Sequence, residues 1–120
     1  MKALPTSVAL FILLIICIII NAFFINSSAE LMSSCADKMA DPHERDAALS
    51  QLEDFWKAKK QLIGLTVPKN QLDQTSTIII NLRTAYDAGD EVSFMRYRAL
   101  LSDAADTIGR TERFSIENIF

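Results

Sequence analysis

The chain has 120 residues, half of them apolar, with 12 bases against 15 acids, three glycines, three prolines and two cysteines. The average hides a step: residues 1–29 hold 21 apolar residues and one charge, Lys2, while the other 26 charges fall in residues 30–120 and leave that stretch at −4. An apolar leader on one small, mildly acidic domain excludes a catalytic cleft between two domains and a strongly basic nucleic-acid binder.

The first element is the leader. Val8 to Ile20 is unbroken apolar sequence, and the run reaches Ile25 with only Asn21 interrupting it. Those 18 residues are of the length needed to cross a hydrocarbon core of about 30 Å. With no water to bond, the backbone there must be helical. Residues 1–26 are therefore expected to form a transmembrane anchor, spanning from about Val8 to Ile25. A cleaved signal peptide carries a shorter apolar region of roughly 7–15 residues. Even so, Ser27, Ser28 and Ala29 are small enough for a cleavage site, which keeps secretion after processing near Ala29 as the alternative. Lys2 and the N-terminal amine favour an N-terminus in the cytoplasm, with residues 27–120 outside and only a few residues inside.

Beyond the leader, cap signals alternate with the glycines. Ser27 with Glu30, and Asp41 with Pro42 and Glu44, fit the capping box; Asn70 with Asp73, and Asp90, supply two further starts. Gly64, Gly89 and Gly109 each close a helix-period segment, as glycine does where a helix ends in the left-handed conformation. The spacing predicts helices over about 28–40, 42–63, 71–88 and 91–108. Each carries an apolar stripe: Leu31, Met32, Cys35 and Met39; Leu49, Leu52, Phe55, Trp56, Leu62 and Ile63; Leu72, Ile79, Leu82 and Tyr86; Phe94, Tyr97, Leu101, Ala104, Ala105 and Ile108. Ile78–Ile80 is β-branched, but no other segment alternates to pair with it. Short connections make neighbours antiparallel. The fold class is all-α: an N-terminal transmembrane helix followed by a bundle of about four antiparallel helices.

Few residues invite chemistry. His43 is the only histidine. Together with Asp46 it offers two metal ligands, too few for a site, and it reads as an exposed helix-start residue. No nucleophile–base arrangement, phosphate loop or metal-ligand spacing stands out, so no catalytic, cofactor or metal residues are assigned and no enzymatic activity is expected. Glu53 with Lys57, and Arg83 with Asp87, have the spacing of surface ion pairs worth a few tenths of a kcal/mol. Trp56 beside Lys57, Lys59 and Lys60 reads either as a contact for anionic headgroups or envelope polymer, or as a core anchor with helix-end charges. Arg96 and Arg98 around Tyr97 invite the same pair of readings. Cys17 and Cys35 are 18 residues apart, about 27 Å along a helix, and cannot bridge one another across the ~6 Å that a disulfide spans. Cys35 is either a small buried residue or an intermolecular disulfide joining two copies. The tail is the least usual feature. Phe114, Ile116, Ile119 and Phe120 in residues 114–120 either dock on the bundle or enter a partner's groove.

Trp56-Lys57 with Lys59-Lys60, Leu72-Asp73, Leu82-Arg83, Asp90 and the closing Phe114-Ser115-Ile116-Glu117-Asn118-Ile119-Phe120 give the chain a family likeness. It resembles the short bacterial proteins grouped as domain of unknown function 4363, in order and length over nearly all 120 residues, most specifically in the tail. Where that family often carries polar residues including histidine before the Leu-Asp pair, this chain has Asn70 and Gln71. The resemblance implies a membrane-anchored helical protein of a Gram-positive-type bacterium, with no assigned activity and no catalytic residues to carry over.

The function expected is a single-pass, membrane-anchored interaction module acting on a membrane-protein partner, with Trp56, Lys59, Lys60, Phe114, Ile116, Ile119 and Phe120 as candidate partner-binding residues. No cofactor and no nucleic acid are expected, and a homodimer stays open. The alternative is a secreted or surface-attached module that binds lipid headgroups or envelope polymer.

Overall fold

The computed structural model describes the backbone of residues 3–119 and the side chains of residues 5–110. Four helices follow one another: α1 (Ala3–Lys38), α2 (Arg45–Ile63), α3 (Lys69–Ala88) and α4 (Glu91–Ile119). Each packs on its neighbours in sequence, and α4 closes the ring against α1. The molecule is 68 Å long and 22 by 21 Å across, because α1 outruns the bundle at one end.

The anchor and the first bundle helix are one element. A break at Ser27 was expected, yet no glycine or proline occurs between Pro5 and Pro42 to provide it. The Ser28 hydroxyl donates to the Phe24 carbonyl one turn back (2.8 Å) rather than capping a new helix. Along α1 the environment changes abruptly. Val8, Leu10 to Leu14, Ile16, Ile19 and Ile20 are exposed large apolar side chains, whereas Ala22, Ile25, Ala29, Met32, Cys35, Ala36 and Met39 are buried. The buried set recurs at three- and four-residue intervals, so it forms one stripe on the helix. Ala22 and Ile25, expected inside the span, belong to the bundle core instead.

Two of the three glycines also behave differently from expectation. Gly89 alone has a positive φ (69°); it ends α3 in the left-handed conformation, and the Asp90 N–H returns to the Ala85 carbonyl (2.9 Å). Asp90 then starts α4 by accepting from the Ser93 N–H (3.1 Å), as its cap role predicts. Hydrogen bonds from the Ser93 side chain and backbone hold its carboxyl below the usual carboxylate range. Gly64 closes α2 with right-handed angles. Gly109 ends nothing: α4 runs through it to Ile119. A Cβ placed there would lie 3.5 Å from the Ala29 Cβ, so the two small residues set a close approach of α4 to α1.

The other helix starts shift by a few residues. The Asp41-Pro42 segment forms a turn, in which Asp41 Oδ1 accepts from the His43 N–H (3.0 Å), and α2 begins only at Arg45. Helix α3 begins at Lys69, directly after Pro68 in an extended conformation. Asn70 does not cap it.

Arg45 joins three elements at the end of the bundle away from the exposed part of α1. Only 8% exposed, it donates from Nε to the Met39 carbonyl (2.9 Å) and from both terminal nitrogens to Glu91 (2.6 and 3.1 Å). Its guanidinium carbon lies 4.5 Å from the Phe94 ring centroid. This buried cation is fully engaged, and it ties the α1–α2 turn and the start of α2 to the start of α4 across the bundle. On another face, Arg83 of α3 pairs with Glu53 of α2, with Asp46 at 3.4 Å and Asp87 at 3.9 Å. The expected Arg83–Asp87 pair is present, while Glu53 turns to Arg83 and not to Lys57.

Arg45→Ala should cost about 2–3 kcal/mol in denaturant unfolding, and Arg45→Lys should recover little of it, because the planar fork rather than the charge fits the site. Gly109→Ala should be neutral or stabilising by up to about 1 kcal/mol, since a methyl there meets only ordinary contact and removes backbone freedom from the unfolded chain. Gly109→Leu should separate α4 from α1 and lower the midpoint of unfolding.

Candidate functional site

The residues that the sequence singles out divide between core and surface. Trp56 is core: it is 6% exposed, and its indole N–H donates to the Ser76 hydroxyl across the α2–α3 interface (2.8 Å). It is therefore a strut and not an exposed anchor. Arg98 is committed as well, donating to the Ala36 carbonyl near the end of α1 (3.1 Å). Arg96 packs over Tyr97, 5.2 Å from its ring centroid. His43 is exposed in the α1–α2 turn. Among the described residues, no group of three or more His, Cys, Asp or Glu comes together to hold a metal.

Cys35 is 2% exposed in the core, and Cys17 is exposed on the outer part of α1. An intermolecular bridge through Cys35 does not fit this packing, because its sulfur faces the bundle interior; the buried-residue reading is the one that matches. Desolvation pushes the Cys35 thiol up, with nearby Lys38 opposing slightly. The side chains of Phe114, Ile116 and Ile119, and all of Phe120, lie outside the described residues. The α4 backbone beneath the first three is helical.

Two surface features remain, and neither was expected as a site. The larger is a groove of about 920 Å³ between α3 and α4. Its α3 wall carries Asn70, Gln71, Gln74, Thr77 and Asn81, and its α4 wall carries Tyr97, Asp103 and Thr107, over a floor that includes Ile78, Leu100 and Ala104. Amides and hydroxyls both donate and accept, and with the carboxylates of Asp73 and Asp103 also in the lining such a groove suits a polar backbone or a hydroxylated ligand. Gln71 Nε2 is buried there with no hydrogen-bond partner. The signal was present in the sequence: Asn70, Gln74, Thr77 and Asn81 recur at helical spacing, an uncharged polar stripe where a surface helix ordinarily carries charge. The apolar stripe opposite drew attention to packing instead.

The smaller feature is a notch of about 420 Å³ at the α2–α3 connection, lined by Lys60, Gln61, Gly64, Leu65, Lys69, Leu72 and Asp73. It brings Lys60 beside Lys69, a residue that sequence spacing had left unremarked. Lys57 and Lys59 are exposed on the same end of α2.

In comparisons with known proteins, no family model matches the chain, and neither a curated protein nor a solved structure matches it.

Because burial keeps the Cys35 thiol protonated in the fold, a maleimide or iodoacetamide reagent should modify it only as the bundle opens, with alkylation rate tracking unfolding in a denaturant series. The folded state retains its proton to higher pH than the unfolded chain does. Stability linked to this thiol should thus be full below the ordinary thiol range and decline as pH rises through that range toward the raised folded value. Cys35→Ala should abolish that alkaline component.

Proposed function

We propose that this chain is a single-pass membrane protein whose helical bundle stands against the outer face of the membrane and binds a protein partner in the same membrane. The observation that carries this reading is the continuity of α1. The described helix is long and apolar enough to cross a membrane, and it enters the bundle core without a linker, through Ala22, Ile25 and Ala29. A bundle fixed to its span in this way has a short reach, so the partner it can meet is one beside it in the bilayer. Processing near Ala29 would remove Ala22, Ile25 and Ser28 from the buried set, which supports an uncleaved anchor over secretion. The N-terminus is assigned to the cytoplasm on the charge of Lys2. Likeness to domain of unknown function 4363 belongs to this proposal and adds no activity to it.

The groove between α3 and α4 is the face offered to that partner. It lies away from α1, and its amide and hydroxyl walls can pair with a helix end or an irregular backbone segment. No bond-making chemistry is proposed for it.

Site-specific photocrosslinkers at Asn81 and Leu100, in the full-length chain in its native membrane, should capture one membrane protein. The same group at Ala47 or Asp54, on exposed positions of α2, should not. Leu100→Arg, at a position 42% exposed, should cut recovery of the adduct by about ten-fold, the effect of losing roughly 1.4 kcal/mol of contact. Equal capture from both faces, or none from the groove, would count against the proposal. N-terminal sequencing of the mature chain checks the anchor separately: a start at Glu30 would return the protein to the secreted class.

A further inference from the structure

The end of the bundle from which α1 emerges carries features that packing and the groove leave unexplained. The Asn21 amide donates to the Thr66 hydroxyl (2.6 Å). That bond fixes the α2–α3 connection at the level where α1 passes the end of α2 and the start of α3. Around this level the surface is apolar: Leu65 is 80% exposed, Phe23 74% and Ile20 63%. Solvent-facing leucine and phenylalanine at one end of a bundle need a cover, and the direction of α1 names it.

The length of the span gives an independent reason. From Val8 to Ile20, the unbroken apolar run, α1 advances only about 20 Å. The 18 residues that match the ~30 Å hydrocarbon thickness run on from Val8 to Ile25. On that reading the apolar layer continues past Ile20 toward Phe23, and Thr66, bonded to Asn21, is carried to the same depth.

Charge agrees with this placement. Residues 57–73 contain four lysines and one acid, a net +3, while the other 103 residues carry −6. A local excess of positive charge thus falls on the last turns of α2 and the start of α3, around the exposed Leu65. Lys60 and Lys69 share the 420 Å³ notch with Leu65 and Leu72, with Asp73 also in its lining. Two ammonium groups over apolar side chains match the two parts of a phospholipid, a phosphate above and acyl carbons below.

We propose that the α2–α3 connection is a second membrane contact, in which Leu65 enters the bilayer beside the exit of α1 and the Lys60–Lys69 notch receives the phosphate of an anionic phospholipid. The proposal rests on the reading of α1 as the span. It adds that the base of the bundle lies within the headgroup layer. It also gives the lysines a role that Trp56, buried in the core, does not share.

The test uses the full chain with Cys17→Ala, reconstituted in bilayers of phosphatidylglycerol and phosphatidylcholine, with single nitroxide labels at Ile20→Cys, Leu65→Cys and Ala40→Cys. Ile20 and Leu65 should be relaxed more by oxygen than by a water-soluble nickel chelate, and Ala40, in the distal turn, the reverse. Ile20 in the oxygen-rich layer with Leu65 in water would overturn the second contact and leave the span standing. Ile20 in water would overturn both. The exposure of Leu65 makes its label tolerable to the fold. For the notch, the preference of the protein's lipid shell for phosphatidylglycerol over phosphatidylcholine should fall about five-fold for each of Lys60→Gln and Lys69→Gln, and stay unchanged for Lys38→Gln at the other end of α1. An unchanged preference in the double variant would overturn the phosphate site.

Discussion

Ile25, Ala29, Met32, Ala36 and Met39 form one stripe on α1, and the bundle is organised by the need to cover it. The same helix carries, a few residues earlier, apolar side chains on all sides. One rod thus carries two kinds of surface: a stripe covered by protein and, below it, a stretch long and apolar enough to cross a membrane. Helices α2 and α4 cover α1 from either side, and α3 closes the ring by packing on both of them. Gly109 against Ala29 brings α4 close, while the bond from Asn21 to Thr66 secures the α2–α3 connection. Where these contacts stop, the described large apolar side chains of the rod, Val8 to Ile20, are mostly exposed.

Polar interactions act at the two ends of this arrangement in different ways. At the distal end, Arg45 is buried, and its donors meet a backbone carbonyl and both oxygens of a carboxylate. A charge in that position is stable only because the Met39 carbonyl and Glu91 are held there by the ends of α1 and α4, so it fixes register as well as contributing energy. At the other end the lysines stay outside the core. The chain therefore places Arg45 in structural bonds and leaves its clustered lysines at the surface. Arg83 and Arg98 follow the first pattern, and Lys57, Lys59, Lys60 and Lys69 the second.

Much of the architecture was legible in the residues. Apolar periodicity located α2, α3 and the first part of α4 to within a few positions, and Asp90 with Gly89 marked their turn correctly, because each supplies a specific backbone or side-chain need. The misreadings share one cause: local signals were given weight that tertiary contact overrides. Ser27 and Glu30 spell a cap, but nothing upstream stops the helix. Gly109 resembles a terminator, but its missing side chain is used for packing. Of the two readings that Trp56 beside three lysines left open, the core anchor is the one the packing matches, with Ser76, twenty residues on, accepting its indole N–H. The groove went unread for a related reason, since uncharged polar residues on one helix face become a wall only when α4 supplies the other. The pairing of Lys60 with Lys69 likewise depends on a reversal of direction that spacing alone does not display.

The contact between α1 and α4 also constrains how the molecule is made. Synthesis delivers α1 before α4, so the apolar stripe of α1 waits for its α4 cover until the other three helices have been made. During that interval Met32, Ala36 and the rest of the stripe lack the cover that α4 supplies. The ring of helices therefore closes only once α4 has been made, and a chain interrupted before it leaves the stripe on α1 half covered.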